Sequence, residues 1–201
     1  MRTKFSLFLL FALLPATPLL AGEADNSLDT LMQALAANGD SKAYFTETRT
    51  SRLTRKPIES SGTLAFVFPD NLIRQIEKPK AVLFEVQGDR VIISRNGKAQ
   101  SRSLAQLGAA RAFIESLRAT LAGDQQALQQ YYRLALTADG HSWQLVLTPQ
   151  DHALAKKISQ IQISGDFYSS DAVAERQARV TVVEVIERNG SRTVTQLMAI
   201  Q

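Results

Sequence analysis

Histidine is the side chain best suited to moving protons near neutral pH, and this sequence has two, His141 and His152. Each sits among polar residues in a predicted turn. Asp151 and His152 are neighbours in the chain, which does not by itself build a triad; a surface turn accounts for them. No Gly-x-Ser-x-Gly elbow, His-Glu-x-x-His pair or phosphate-cradling glycine loop occurs. Cysteine is absent, so there is no thiol nucleophile, no thiolate ligand and no disulfide. Glu115 and Asp124 flank a predicted helix, where water can solvate them. A carboxylate-based hydrolase stays open as a third reading, since its acids would be brought together in space rather than in sequence. The expectation is a protein that is not an enzyme and carries no cofactor and no metal.

The stretch with more to say is apolar. In Gly62–Phe68 the residues Leu64, Phe66 and Phe68 share one face of a predicted strand, because successive side chains alternate sides. In Leu72–Ile76 the residues Leu72, Arg74 and Ile76 share a face in the same way. Pro69 cannot donate to a ladder, and Asp70-Asn71 suit a turn, so the two runs read as a hairpin. Its apolar face covers either a packed core or a cavity that something else fills.

The elements on either side must position that face. Asn26 or Ser27 can cap a short helix carrying Leu28, Leu31, Met32 and Leu35, with Asn38-Gly39 as its stop. Residues 43–53 alternate as a strand, with Glu47, Arg49 and Arg52 read as surface charges. Strands follow over Val82–Val86 and Arg90–Ser94, with a turn at Asn96-Gly97. Short connections between these strands indicate an antiparallel meander. From Leu104 to Ala122, Leu107, Ala110, Ile114, Leu117 and Leu121 recur at helical spacing, with Phe113 widening the stripe. A second helical piece spans Gln125–Tyr132. Strands resume over Arg133–Thr137 and Trp143–Thr148, then through Ile158, Ile161 and Ile163 to Gly165-Asp166. A long strand over Arg179–Arg188 turns at Asn189-Gly190 into Arg192–Ile200. The fold class is mainly β with helices: a large antiparallel sheet with helices on one side. The helix over 104–122 either caps an ordinary core or forms a lid above a cavity.

With 45% apolar and 21% charged residues in 201, the chain has the composition of one ordinary globular domain. Its start is distinctive. Arg2 and Lys4 precede an apolar stretch over Phe5–Leu14 and a proline- and small-residue-rich end over Pro15–Ala21, the layout of a Sec-type signal peptide. At about 10 residues that core falls short of the roughly 20 needed to span a bilayer. Cleavage is expected after Ala21, with Ala24 as second choice, leaving residues 22–201 as a single domain. Leu20-Ala21-Gly22 resembles the start of a lipoprotein box, but Glu23 stands where the lipidated cysteine would be. The expected location is the periplasm, free of a lipid anchor. Loss of Arg2 and Lys4 lowers the net charge from +4 to +2, and no basic run interleaves with aromatics, so nucleic acid is not an expected partner.

Phe45-x-Glu47, Gly62-Thr63-Leu64 running into Pro69, Pro79 ten residues on, and Gly88 at the next turn together resemble the periplasmic outer-membrane lipoprotein carriers of the LolA family. Glu115–Asp124 resembles a divergent LolA-related branch, and the likeness covers roughly residues 28–200. It implies an incomplete antiparallel β-barrel (a half-barrel), covered by a helical lid around a hydrophobic cavity for acyl chains. The carriers proper have an arginine just before the proline of the central hairpin, which helps hold the lid closed and is tied to cargo release. Here Phe68 stands at that position. Arg74, on the same predicted face, is a candidate for part of that role, a solvated strand-edge arginine being the alternative.

The resemblance implies a soluble carrier or chaperone that takes an acylated lipoprotein or other lipid-linked cargo between the inner and outer membranes. An inner-membrane exporter and an outer-membrane acceptor would be its partners, and the chain would act as a monomer. Cargo other than lipoproteins fits the departure at Phe68 better. The alternative is a periplasmic domain that senses lipids or proteins on the same half-barrel. The expected cavity wall comprises Leu64, Phe66, Phe68, Leu72, Arg74, Ile76, Phe84, Val91 and Ile93 under Phe113, Ile114, Leu117 and Leu121. For each residue taken alone, plain core is an equal explanation.

Overall fold

The computed structural model describes residues 27–51, 56–107, 109–170 and 173–200; the side chains of residues 109, 110, 112, 113, 170 and 173–175 fall outside that description. The expected signal peptide over residues 1–21 and the expected surface charge at Arg52 also fall outside it.

Helix α1 (Leu28–Ala36) starts at Ser27, whose Oγ accepts the Thr30 N–H at 3.2 Å, and ends before Gly39, which takes φ +58°. Its apolar face buries Leu31, Met32, Ala34 and Leu35 against the sheet, chiefly against the long strand Val173–Glu187. Six strands follow: β1 (Ser41–Thr50), β2 (Ile58–Val67), β3 (Asn71–Lys78), β4 (Val82–Gln87), β5 (Arg90–Arg95) and β6 (Lys98–Ser103). A 3-10 turn (Leu104–Leu107) then leads to α2 (Ala109–Leu121) and α3 (Gln125–Tyr131). The second half holds β7 (Tyr132–Ala138), β8 (Ser142–Pro149), the one-turn α4 (His152–Ala155), β9 (Ile158–Ser170), β10 (Val173–Glu187) and β11 (Arg192–Ala199). Among the described residues no helix is long and apolar enough to cross a membrane.

The eleven strands of the described residues form one antiparallel sheet in the order β6-β5-β4-β3-β2-β1-β11-β10-β9-β8-β7. Two meanders, β1–β6 and β7–β11, are joined where β1 pairs with β11. The sheet curls but does not close, because β6 and β7 are its two unpaired edges. Those edges are consecutive in the chain, and the segment that links them carries α2 and α3. The connection therefore runs over the open side and makes an incomplete barrel with a helical lid. One core fills the space between, with Phe66, Leu145, Leu147, Ile161, Ile163, Leu128 and Tyr132 among its most buried members.

Three local departures from the sequence reading have physical causes. Strand β6 was not foreseen, because Lys-Ala-Gln-Ser-Arg-Ser is polar and exposed almost throughout and shows no alternation. Gly165, read as the end of a strand, lies inside β9; a Cβ there would overlap the Arg179 carbonyl and the Trp143 ring, so its smallness serves close approach. The piece after Pro149 is a helical turn capped by Asp151, whose Oδ1 accepts the Leu154 N–H at 2.8 Å.

Candidate functional site

Strand register sets the site. Phe66, Leu72, Val86 and Val91 face one another across β2, β3, β4 and β5, and Leu64, Arg74, Phe84 and Ile93 form the next row. Both rows lie on the concave face because alternate residues of paired strands share a side. The β1–β11 seam adds Phe45 opposite Leu197, and Glu47 opposite Thr195, which in turn faces Val183 on β10. On α2, Ile114 and Leu117 face the same space from above.

These residues enclose a cavity of about 180 Å³ lined by Phe45, Leu64, Leu72, Arg74, Phe84, Val86, Val91, Ile114, Leu117, Val183, Thr195 and Leu197. Only Arg74 and Thr195 bring polar atoms to it. Leu64 and Leu197 also line a wider groove of about 890 Å³ that runs under α1 between β1, β11 and β10, so the two spaces adjoin. The groove is lined by Leu35, Phe66 and Leu121 and also by the polar Asn38, Asp40, Lys42 and Arg179.

Of the residues expected at the wall, Leu64, Leu72, Arg74, Phe84, Val91, Ile114 and Leu117 surround the cavity. Phe66 and Leu121 line the adjoining groove, with Phe66 only 1% exposed. Ile76 and Ile93 are half-buried against the core but are not cavity-lining. Phe68 is elsewhere: β2 ends at Val67, so the alternation does not extend to Phe68, which is 51% exposed in the turn. Its N–H is held by Asp40 Oδ1 at 2.9 Å. The Phe113 side chain lies outside the described residues.

Glu47 departs from the expectation of a surface charge. It is flanked on its own row by Ser60 of β2 and Thr195 of β11. Thr195 Oγ1 donates to Glu47 Oε2 at 2.9 Å and Ser60 Oγ to Oε1 at 3.4 Å. Arg74 Nη2 stands 2.9 Å from Oε1, and both side chains are largely enclosed, at 23% and 17% exposure. To reach Glu47 from β3, the guanidinium passes 4.5 Å above the centre of the Phe45 ring. Gly62 is the β2 residue between Ile76 and Phe45, and it puts no side chain in that path. Arg74 is thus bound to β1 within the cavity wall, and its ion pair does not involve the lid.

The lid is tied by another arginine. Arg118 of α2 donates from Nη2 to Asp70 Oδ2 in the β2–β3 turn and from Nη1 to the Gly88 carbonyl in the β4–β5 turn. Gly123, at φ +67°, lets the α2–α3 corner approach α1, since a Cβ there would overlap the Met32 carbonyl oxygen. Tyr132, buried below α2, has its hydroxyl pushed up to about 12, first by burial, with the Ser116 hydrogen bond opposing and the nearby Glu115 charge adding to the rise.

The titratable groups singled out for catalysis are dispersed. His141 occupies the β7–β8 turn, where Asp139 Oδ1 accepts its N–H at 3.0 Å. Asp124 caps α3 by accepting the Ala127 N–H, and Glu115 pairs with Arg111 one helical turn away at 2.8 Å. Among the described residues no group of three or more His, Asp or Glu is spaced to hold a metal ion.

Sequence reasoning missed Phe45, Val86, Val183, Thr195 and Leu197 as wall residues. Val86 could have been found, since it alternates with Val82 and Phe84. The other four depend on the β1–β11–β10 pairings, for which no local signal exists.

The family described as outer membrane lipoprotein carrier protein LolA-like matches residues 21–187. No curated protein matches the chain. Among solved structures, a LolA superfamily protein from Nitrosomonas europaea is 10% identical over 85% of this chain and 89% of its own, with a TM-score of 0.47. A DUF1329 family protein from Desulfovibrio piger is 14% identical over 85% and 88%, with a TM-score of 0.46. The Mycobacterium tuberculosis lipoprotein LppX is 12% identical over 85% and 92%, with a TM-score of 0.39. These likenesses concern the fold alone.

Proposed function

The chain belongs to the LolA-like outer membrane lipoprotein carrier family, and from that premise we propose that it is a periplasmic carrier of acylated cargo. It would take the acyl chains of a lipoprotein or another lipid-linked molecule into the space between the sheet and α2 and move them between the two membranes. The observation that carries this reading is the cavity itself, walled by leucine, valine, isoleucine and phenylalanine and adjoined by a wider groove.

The energetics are simple. An acyl chain exposed to water loses about 0.8 kcal/mol for each CH₂ that could be buried. Apolar walls recover that without reading the chain, because hydrocarbon offers no hydrogen bond. Loading and release need a wall that moves. The lid suits this, being tied at its hairpin side by one arginine while the sheet is held by continuous ladders.

The test is to purify the mature protein from the periplasm, extract it with solvent and identify bound lipid by mass spectrometry. An environment-sensitive apolar dye is then titrated into the emptied protein and competed with acylated ligands. Stoichiometric lipid, or a saturable dye site emptied by acyl chains, is the expected result. An empty extract with no saturable site would overturn the reading and favour a periplasmic sensing domain on the same fold.

A further inference from the structure

Arg74 is more than a carrier of plain hydrocarbon requires. An arginine in an apolar wall costs desolvation energy, and a purely greasy cavity would be better served by leucine or methionine. The Glu47 contact through Nη2 is its only polar partnership among the described residues. Nη2 is sealed off, whereas the side chain as a whole keeps 23% exposure and forms part of the cavity lining. One face of the guanidinium is covered by Phe45. Nη2 meets Glu47 as an ion pair without hydrogen-bond geometry, and the other guanidinium N–H groups have no acceptor among the described residues, at the wall of an otherwise apolar space.

Charge decides which acceptor fits. Glu47 already balances the positive charge, and Thr195 and Ser60 donate to the same carboxylate. An incoming phosphate or carboxylate would place a second negative charge beside Glu47 in a poorly solvated site. A neutral carbonyl needs only the spare donors. It would also bring a hydrocarbon chain with it, directly beside Leu64, Phe84 and Leu117.

Resting on the carrier reading above, we propose that Arg74, held by Glu47 and Phe45, is a polar subsite that receives the ester or amide carbonyl of an acyl group. The ligand class is then a carbonyl-linked acyl lipid, as distinct from an isoprenoid chain, an alkyl ether or a free fatty-acid anion. Arg74 would fix how deeply the acyl chain enters, because the carbonyl stops at the donor while the methylenes continue along the apolar wall.

The experiment is competition of a bound apolar dye by three ligands of one chain length: a fatty-acid methyl ester, the matching alkyl methyl ether and the fatty-acid carboxylate. The full mature chain should bind the ester more tightly than the ether by about tenfold or more, the effect of one charge-assisted hydrogen bond. The carboxylate should gain nothing over the ester. In the paired variant Arg74→Met with Glu47→Gln, which leaves no lone buried charge, the ester should lose its advantage over the ether. Equal binding of ester and ether by the unaltered protein overturns the subsite while leaving the carrier intact, and does so even if the variant fails to fold. Tighter binding of the carboxylate overturns the neutral-acceptor assignment. Failure of every ligand to displace the dye overturns the subsite, whereas absence of a saturable dye site removes the carrier reading beneath it.

Discussion

Arg118 Nη2 lies 2.8 Å from Asp70 Oδ2, joining the helix over the cavity to the turn between two strands of the cavity wall. The same guanidinium donates to the Gly88 carbonyl at 3.0 Å. The arginine is 14% exposed and the aspartate 45%, so the contact sits at the margin of the lid, where water can compete for it. Such a tie can hold a lid shut and still let go.

Replacing Arg118 with methionine should loosen α2 and leave the sheet alone. A partly exposed pair contributes about 0.2–1 kcal/mol, so exchange of α2 backbone amides should speed up roughly two- to fivefold. Hydrogen-exchange mass spectrometry reads this directly. Unchanged α2 exchange would mean that burial of Leu117 and its neighbours holds the lid alone.

Filling the cavity and emptying it should have opposite consequences. Ile114→Trp places bulk in the void and should weaken apolar dye binding about tenfold or more with a modest loss of stability. Leu117→Ala removes a side chain that is 3% exposed and should cost about 2–5 kcal/mol, while leaving room for the dye. Dye titration and urea unfolding of both variants separate the two effects.

Gly123→Ala should be damaging out of proportion to one methyl group. The residue sits at φ +67°, and the added Cβ would overlap the Met32 carbonyl oxygen of α1. Left-handed strain and the clash together should cost about 2 kcal/mol or more, measurable by urea denaturation. A neutral result would show that the α2–α3 corner can lift from α1 freely.

Tyr132 gives the protein an alkaline limit. Its hydroxyl ordinarily ionises near 10 and is pushed up to about 12, chiefly by burial. Because the folded value lies above the unfolded one, the associated stability is fully present below pH 10 and is lost as pH rises towards 12. Two units correspond to about 3 kcal/mol. Tyr132→Phe should flatten the fall in stability over that window, at the expense of about 1 kcal/mol at neutral pH from the lost Ser116 hydrogen bond. Unfolding free energies of both proteins across the window provide the check.

Much of the frame was legible because it is written in short-range pattern. Ser27, the stripe of Leu31, Met32 and Leu35, the turn at Asn189-Gly190 and the helical spacing of Ile114, Leu117 and Leu121 are all decided by residues within a few positions of one another. Phe68 shows where such a pattern fails. Alternation is a property of a strand, and the strand had already ended at Val67. Strand β6 shows the converse: its backbone pairs with β5 although its side chains carry no amphipathic signal.

By itself, then, the sequence determined every strand but β6, the longer helices and the apolar side of the central hairpin, since periodicity and turn chemistry act locally. Only the tertiary structure decided that β1 would pair with β11 and that β6 and β7 would be left as edges bridged by the lid. It also turned Glu47 from an apparent surface charge into the partner of Arg74. Thr195 donates to that carboxylate from 148 positions away. Contacts of that range arise from how the whole sheet curls and which edges stay open, and no local run of residues encodes that choice.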